Sequence, residues 1–357
     1  MALAAQYNLE LHQMDVKTAF LNRRLDEEVY MALPERLNIS FEKNMIAFTK
    51  ANADQNVYIY SQENAFVYLA LYVDDCILAS NSLRLLTKIK EKLKTEFEMV
   101  DLEEIHHCLG MQVDRNREEG WIRISQPQYL VEKFARFNMA DCKPIDTPME
   151  PGLKLSVLDS PNSVGESEEV KHIPYQATVG SLMWAMVCAR PDISFAVSSV
   201  AQFMSNPGLT HWKAVKRIFR YLKGTLDFGL VFTRVDKPSG LTGYSDADSG
   251  GCLHTRRSTS GYCFQLNGGT ISWTSKKQKS VALSSTEAEY MALSKAGAEA
   301  MWLRELLTDL GFELESTTIF CDNQSTTKVP WKESRYLKDI VSPLEESLFR
   351  RRRENVN

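Results

Sequence analysis

The chain has 357 residues, 44% hydrophobic and 25% charged, with a formal net charge of −4. That length suits about two or three domains of ~100–200 residues, and the composition is that of an ordinary soluble globular protein. Excess negative charge excludes a globally basic nucleic-acid surface and restricts any such surface to a local patch.

No apolar run approaches the ~20 residues that span a bilayer. The opening MALAAQYNLELHQ lacks the basic region and long apolar core of a secretion signal. Seven cysteines, an odd number with no C-x-x-C pair, fit reduced thiols. The expected location is therefore intracellular, in cytoplasm or nucleus.

Leu11–Leu21, LHQMDVKTAFL, reads as a strand that carries Asp15 and then polar and small residues. Phe66–Ser80, FVYLALYVDDCILAS, places two short apolar runs around the acidic dipeptide Asp74–Asp75. Strand length and composition predict a hairpin with both carboxylates at its turn. Adjacent carboxylates repel and lose hydration unless water or a cation neutralises them. The pair is thus either a solvated Asp-Asp turn or a divalent-metal site presented by two buried strands.

Leu83, Leu86, Ile89, Leu93 and Phe97 fall at helical spacing with Lys and Glu between them, which predicts an amphipathic helix. Leu109–Gln126 predicts two alternating strands around a polar turn at Asn116–Gly120. Its Arg115, Arg117 and Arg123 either touch phosphate or sit on a solvated hairpin tip. Gln128–Met139 reads as a helix that stops before DCKPIDTPMEPG.

Ser156–Glu169, rich in Ser, Pro, Asn, Asp and Glu, is expected to be a disordered linker and marks a first boundary. Tyr175–Phe232 reads as helical. Its second helix has an apolar stripe of Trp212, Val215, Phe219 and Leu222 and a basic face of Lys213, Lys216, Arg217, Arg220 and Lys223. That face is either solvated or a nucleic-acid backbone contact.

Gly243–Asp248, GYSDAD, closes an apolar strand, and Gly261–Leu266 and Thr270–Trp273 read as further short strands. Ser284–Leu293, SSTEAEYMAL, starts a helix with a hydroxyl cap and glutamates in its first turn, and the helix runs on to a terminating Gly311. Thr318–Ser325, TIFCDNQS, is a strand ending in Asp322. Each acidic residue at a strand end is, on its own, a turn former. Glu287 and Glu289 are two positions apart, so they point in different directions on a helix. The Arg350–Arg353 run is either a solvated tail or a nuclear-import or RNA-binding tag.

Taken together, Leu11–Leu21 and the YVDD of Tyr72–Asp75 closely resemble the two carboxylate motifs of a copia-type retrotransposon reverse transcriptase. The stretch Leu241–Val329 resembles the ribonuclease H of the same family, and Tyr175–Phe232 resembles the connection between the two. The resemblance implies an α+β protein: a partial reverse-transcriptase palm and thumb over 1–155, a linker over 156–174, a helical connection over 175–240, a ribonuclease H-like mixed-sheet domain over 241–329, and a divergent tail over 330–357. It implies that Asp15 and Asp74, with Asp75 close by, hold Mg²⁺ (or Mn²⁺) for nucleotide transfer. It likewise implies that Asp246, Glu289 and Asp322 hold metal for hydrolysis of RNA in RNA–DNA hybrids, chemistry that suits hard carboxylate oxygens. The implied partners are RNA, DNA, RNA–DNA hybrid and deoxynucleoside triphosphates, with no membrane.

The match has gaps. About ten residues precede Leu11, where the family carries a fingers region. Glu28–Glu35 matches, but Arg36–Lys50 holds no counterpart of the Y-G-L-K-Q-type motif that contacts template base and incoming nucleotide. Resemblance resumes at Ala53–Tyr60. Glu103 stands where the family has glycine. The fourth nuclease carboxylate, in a K-H-I-D-type stretch, is missing beyond Val329, and Asp339 substitutes poorly because Pro343 disrupts a helix starting there. The expectation is a decayed or mispredicted copy of an element, with impaired polymerisation and reduced cleavage. The alternatives are an inactive relic that only binds nucleic acid, and an unrelated α+β globular protein.

Overall fold

Alternating side chains decide the first sheet. The computed structural model describes residues 1–17, 48–314 and 316–323. The Glu28–Glu35 match, most of the Arg36–Lys50 break, Asp339 and the Arg350–Arg353 run lie outside them. After a short helix α1 (Ala2–Gln6) come β1 (Glu10–Val16), β2 (Thr49–Lys50), β3 (Val57–Gln62), β4 (Ala65–Tyr72), β5 (Asp75–Ser80), helix α2 (Leu83–Glu96) and β6 (Met99–Glu104). The strands form a six-stranded sheet in the order β2-β3-β4-β5-β1-β6. Met14, Val67, Leu69, Cys76 and Leu78 face α2, which covers them with Leu85, Leu86 and Ile89. The Ser82 hydroxyl starts α2 by accepting from the Leu85 N–H. Leu11, Phe66, Tyr68, Ile77 and Ala79 belong to the opposite face and a second core. The predicted hairpin and amphipathic helix are both present.

Glu103 has φ +62°, the left-handed region that glycine occupies at least cost. The β1–β6 register shifts between His12 and Met14, opposite Glu104 and Asp101, so Glu103 is the extra residue of a bulge. A non-glycine residue here keeps the turn and carries the strain.

A second sheet, β10-β9-β8-β7, joins β7 (His107–Cys108), β8 (Met111–Asn116) and β9 (Trp121–Ser125) to β10 (Gly229–Thr233). The helical reading of Tyr175–Phe232 therefore ends too late. Gly229–Thr233 pairs antiparallel with Ser125–Trp121, contacts that span a hundred residues of chain. Between them, helices α3 (Pro127–Arg136), α4 (Val164–Lys171), α5 (Tyr175–Cys188), α6 (Ser194–Ala201) and α7 (Leu209–Gly224) are laid down. All but α4 share a core of Phe134, Val179, Leu182, Val197, Val215, Phe219 and Leu222. The expected disordered linker is partly ordered. Val157–Asp159 forms a 3₁₀ turn and α4 follows, exposed and adding nothing to the core. Ser160 Oγ donates to the Asn206 carbonyl, and His211 Nε2 lies 3.0 Å from the Ser156 carbonyl.

The last sheet, β13-β12-β11-β14, contains β11 (Leu241–Ala247), β12 (Thr259–Leu266), β13 (Gly269–Lys277) and β14 (Thr318–Cys321). Strand β11 pairs antiparallel with β12 and parallel with β14. A parallel neighbour needs a crossover, and helix α8 (Ser285–Asp309) supplies it. Ala296, Ala300, Leu303 and Leu307 of α8 pack on Leu241, Phe264 and Ile319. Gly311, at φ +83°, ends the helix as expected. Among the described residues, no helix is long and apolar enough to cross a membrane.

The least forgiving packing lies beneath the helices. Arg190 is 1% exposed, and its guanidinium reaches Asp192 at 2.7 Å and the Thr225 carbonyl at 2.9 Å. Truncating one partner of a buried pair leaves the rest uncompensated. Arg190→Met should lower unfolding free energy by about 3–5 kcal/mol in urea titrations, whereas Met at the exposed Arg84 should leave it unchanged.

Candidate functional site: two carboxylate clusters

The register of β1 against β5 puts Asp15 directly opposite Asp75. Carboxylates so paired, with Cβ atoms ~5 Å apart, destabilise a sheet unless something lies between them. Tyr72 pairs with Asp75 across a two-residue turn of Val73 and Asp74. Val73 has φ +55° and is 64% exposed, an uncommon backbone state for a β-branched residue. Such strain is of order 1–3 kcal/mol and gathers at functional sites. The Val16 N–H donates to the Asp74 carbonyl at 2.9 Å, tying the turn to β1. Gln13 Nε2 donates to Asp75 Oδ1 at 2.8 Å, while Asp74 Oδ1 is buried with no hydrogen-bond partner among the described residues. Burial, and then Asp75, Asp15 and Asp74, push the Cys76 thiol up to about 12. All three carboxylates therefore share one small region.

The second cluster forms where β11 and β14 end side by side. Ser245 pairs with Cys321, so Asp246 and Asp322 leave the parallel strands at the same end. Helix α8 brings Glu289 beneath them, 7% exposed. Ligand atoms of Glu289, Cys321 and Asp322 lie within 4.8 Å of one another, and Cys321 Sγ is 4.0 Å from Glu289 Oε2. Burial, then Asp246 and Asp322, raise the Glu289 carboxyl to about 7. Burial, then Asp322, also raise that of Asp246. Asp246 and Asp322 thus both act on the Glu289 carboxyl, while the ligand atoms that approach within 4.8 Å of one another are those of Glu289, Asp322 and Cys321.

The neighbouring acids have other work. Asp248 Oδ1 accepts from the Gly251 and Thr259 N–H groups and shapes the loop after β11. Glu287 accepts from the Leu283 N–H, and its own N–H donates to Ser284 Oγ. It is the far half of a cap on α8.

Two glutamines were not singled out by sequence. Gln13 orients Asp75, as above. Gln278 is 1% exposed and its Nε2 donates to Ser260 Oγ and to the Ala288 carbonyl, both at 2.9 Å. It fastens the start of α8 to β12, beside Glu289. Neither has a periodic or motif signal; only the tertiary contact reveals them.

The three hairpin arginines, expected either to touch phosphate or to sit on a solvated tip, are all engaged internally. Arg117 binds Glu10 at 2.6 Å and Glu104 at 2.9 Å, and Arg123 binds Asp114 at 2.8 Å. Arg115 donates to the Leu9 carbonyl at 2.7 Å. The basic face of α7 is likewise half covered. Arg217 donates to Thr147, Arg220 donates to the Lys143 carbonyl, and Lys223 lies over the Phe134 ring. Lys213 remains exposed.

Comparison with known proteins agrees with the first cluster's setting. A family model described as reverse transcriptase (RNA-dependent DNA polymerase) matches residues 1–51 and 41–151. Its two pieces overlap near the Arg36–Lys50 break. The retrovirus-related Pol polyprotein from transposon TNT 1-94 of Nicotiana tabacum is 41% identical over 354 residues, covering 91% of this chain and 26% of that protein. The corresponding polyprotein from transposon RE1 of Arabidopsis thaliana is 34% identical, covering 92% of this chain and 24% of that protein. A putative transposon Ty5-1 protein of Saccharomyces cerevisiae is 30% identical, covering 80% of this chain and 100% of that protein. The chain spans about a quarter of the two plant polyproteins. With a reverse-transcriptase match over its first 151 residues and such identity over nearly all of its length, the chain belongs to the copia-type retrotransposon Pol polyproteins.

Proposed function

We propose that this chain is the reverse transcriptase–ribonuclease H segment of a retrotransposon polyprotein, and that its surviving chemistry is hydrolysis of RNA in RNA–DNA hybrids. The division proposed is palm and thumb over 1–155, linker over 156–174, a connection over 175–240 whose helices end at Gly224, nuclease over 241–329, and a divergent tail over 330–357. The meeting of Asp246, Glu289 and Asp322 at one sheet edge carries the reading. Their donor atoms are hard carboxylate oxygens, which fits Mg²⁺ or Mn²⁺, and burial raises the neighbouring Cys321 thiol, which disfavours it as a thiolate ligand. Asp246, Glu289 and Asp322 would hold the ions in the second cluster, and Asp15 and Asp74 those in the first. Held there, such ions would supply acidification of an attacking water and stabilisation of a leaving oxygen.

The chain's own residues prepare that site. Parallel β11 and β14 fix the spacing of Asp246 and Asp322, and Gln278 sets the height of Glu289 against them. Burial and its acidic neighbours raise the Glu289 carboxyl to about 7, so near neutral pH it can hold a proton that eases the repulsion. Polymerase function is present by ancestry, with Asp15, Asp74 and Asp75 as its residues. Metal ligands alone do not position a nucleotide, and Arg36–Lys50 holds no counterpart of the family's nucleotide-contacting helix.

A binding-only relic is the other reading. Internal pairing of Arg117 and Arg123 leaves fewer free cations for it.

Hydrolysis of a labelled RNA–DNA hybrid decides between them. The chain should cleave with Mg²⁺ or Mn²⁺, and Asp246→Asn, which keeps shape and removes charge, should lose more than the ~10–100-fold typical of outer-shell changes. Equal cleavage by both proteins would assign it to a contaminant, and no cleavage by either would favour the relic. Primer extension on an RNA template should be absent or very weak; robust extension would overturn the impaired-polymerase reading.

A second test uses pH. Folding raises Glu289 from 4.5 to about 7, so the folded chain holds a proton that the unfolded chain has released. The stability gained from that proton is full below the unfolded value of 4.5 and disappears as pH rises through 7. Without divalent cation the melting temperature should fall across this window. Mg²⁺ should restore more at pH 8 than at pH 5, and Glu289→Gln should flatten both responses.

A further inference from the structure

Seven cysteines are free, and six of them are protected by their surroundings. Burial pushes Cys76 up to about 12 and Cys108 and Cys188 up to about 11, and it also raises Cys142, Cys263 and Cys321. Such thiols are poor nucleophiles at neutral pH.

Cys252 differs in what faces its sulfur. It lies half-buried in the loop between β11 and β12. The Lys277 ammonium, at the end of β13, is 2.7 Å from Sγ and is held from its other side by Gln202 Oε1 at 3.1 Å. The Thr255 hydroxyl of the same loop is buried with no hydrogen-bond partner among the described residues. The loop itself is fixed. The Cys252 N–H donates to the Arg257 carbonyl, and the Arg256 N–H donates to the Cys252 carbonyl at 2.8 Å. A cation in direct contact with the sulfur favours its negative charge. Burial acts to raise this thiol, and its surroundings, Lys277 foremost, outweigh that and bring it down to about 7.

We propose that Cys252 and Lys277 form a reactive thiolate–ammonium pair, and that Cys252 is the chain's site of modification by hydrogen peroxide and by soft electrophiles. With peroxide, the thiolate sulfur attacks one oxygen. The S–O bond forms as the O–O bond breaks, and hydroxide leaves and takes up a proton to become water. Sulfur gives up two electrons, peroxide is reduced, and the product is the sulfenic acid. The site is independent of the two carboxylate clusters, and its test uses neither hybrid nor metal.

The location has a structural consequence. Lys277 pairs with Thr259 across β13 and β12, and the Thr259 carbonyl accepts the Asp248 N–H. Modification of Cys252 therefore acts on the loop that Asp248 shapes, a few residues after Asp246.

The test is peptide-resolved alkylation of the full chain by iodoacetamide, comparing wild type with Lys277→Met at pH 7 and pH 9.5. A low-pKa thiol is more ionised but intrinsically less nucleophilic, with a Brønsted slope of ~0.45. At pH 7 these effects combine to make wild-type Cys252 react about 6-fold faster than a thiol returned to the ordinary value of 9. At pH 9.5 both are ionised, the order inverts, and the variant reacts about 6-fold faster. A change in mere access would shift both pH values the same way. Lys277→Arg, which keeps the charge, should follow wild type. Within wild type alone, Cys252 should outpace Cys142 at pH 7 and be the first to give a dimedone adduct after peroxide. Equal rates for Cys252 and Cys142 at pH 7, or no inversion between wild type and Lys277→Met, would overturn the proposal.

Discussion

Like-charge repulsion governs both clusters, and the backbone is what opposes it. Asp15 and Asp75 are neighbours because β1 and β5 pair in one register. Slipping that register by one residue would send Asp15 to the α2 side and Met14 out of its core, where it is 0% exposed. Burial of Met14, Val67, Leu78 and Leu86 therefore holds two carboxylates together as a by-product of holding the sheet on its helix. The same logic runs through the last sheet. Ala296, Ala300, Leu303 and Leu307 seat α8 on β11 and β12, and Glu289 is carried under Asp246 whether or not that is electrostatically favourable.

The ends of α8 also join the two sheets. At its far end Asp309 accepts from the N–H groups of Asn52 and Ala53 at 2.7 and 2.8 Å, and Trp302 Nε1 donates to the Ala53 carbonyl. Tyr68 of β4 donates to the Leu310 carbonyl at 2.6 Å, and Tyr7 stacks on Phe312. Gln6 completes the seam by exchanging two hydrogen bonds with the Val235 backbone. One helix thus bears a cluster carboxylate near its start and the inter-sheet contact near its end. Loosening the far end would release the element that supports Glu289.

What the sequence revealed, and what it concealed, follows from range. The β4–β5 hairpin and α2 are local, and alternation in FVYLAL and the spacing of Leu86, Ile89 and Leu93 suffice to read them. The strand Gly229–Thr233 is apolar and directly follows a helix, so its pattern carries no period of its own, and its partner β9 lies far upstream. The linker misled by composition. Ser, Pro and Glu make it polar, yet its turn and helix need no core, only caps from Ser156 and Ser163. Arg117 looked solvent-bound because Glu10, its partner, is a hundred residues away. The carboxylates were legible through motif resemblance alone. Spacing in sequence says nothing about Asp246 meeting Asp322, since a parallel register decides it.

The two clusters relieve their repulsion differently. In the second, a proton can sit on Glu289, whose carboxyl burial and two acidic neighbours have raised. In the first, the Gln13 amide serves Asp75, but Asp74 Oδ1 is buried with no donor among the described residues. The turn that presents Asp74 is bent through Val73 in a conformation that costs free energy of its own. An unmet acceptor and a strained turn at the same two residues are hard to account for as packing, because neither gains anything from the core beneath. Both are accounted for if the hairpin is shaped for a cation that arrives from outside the chain, with Asp15 across the strand ready to share it.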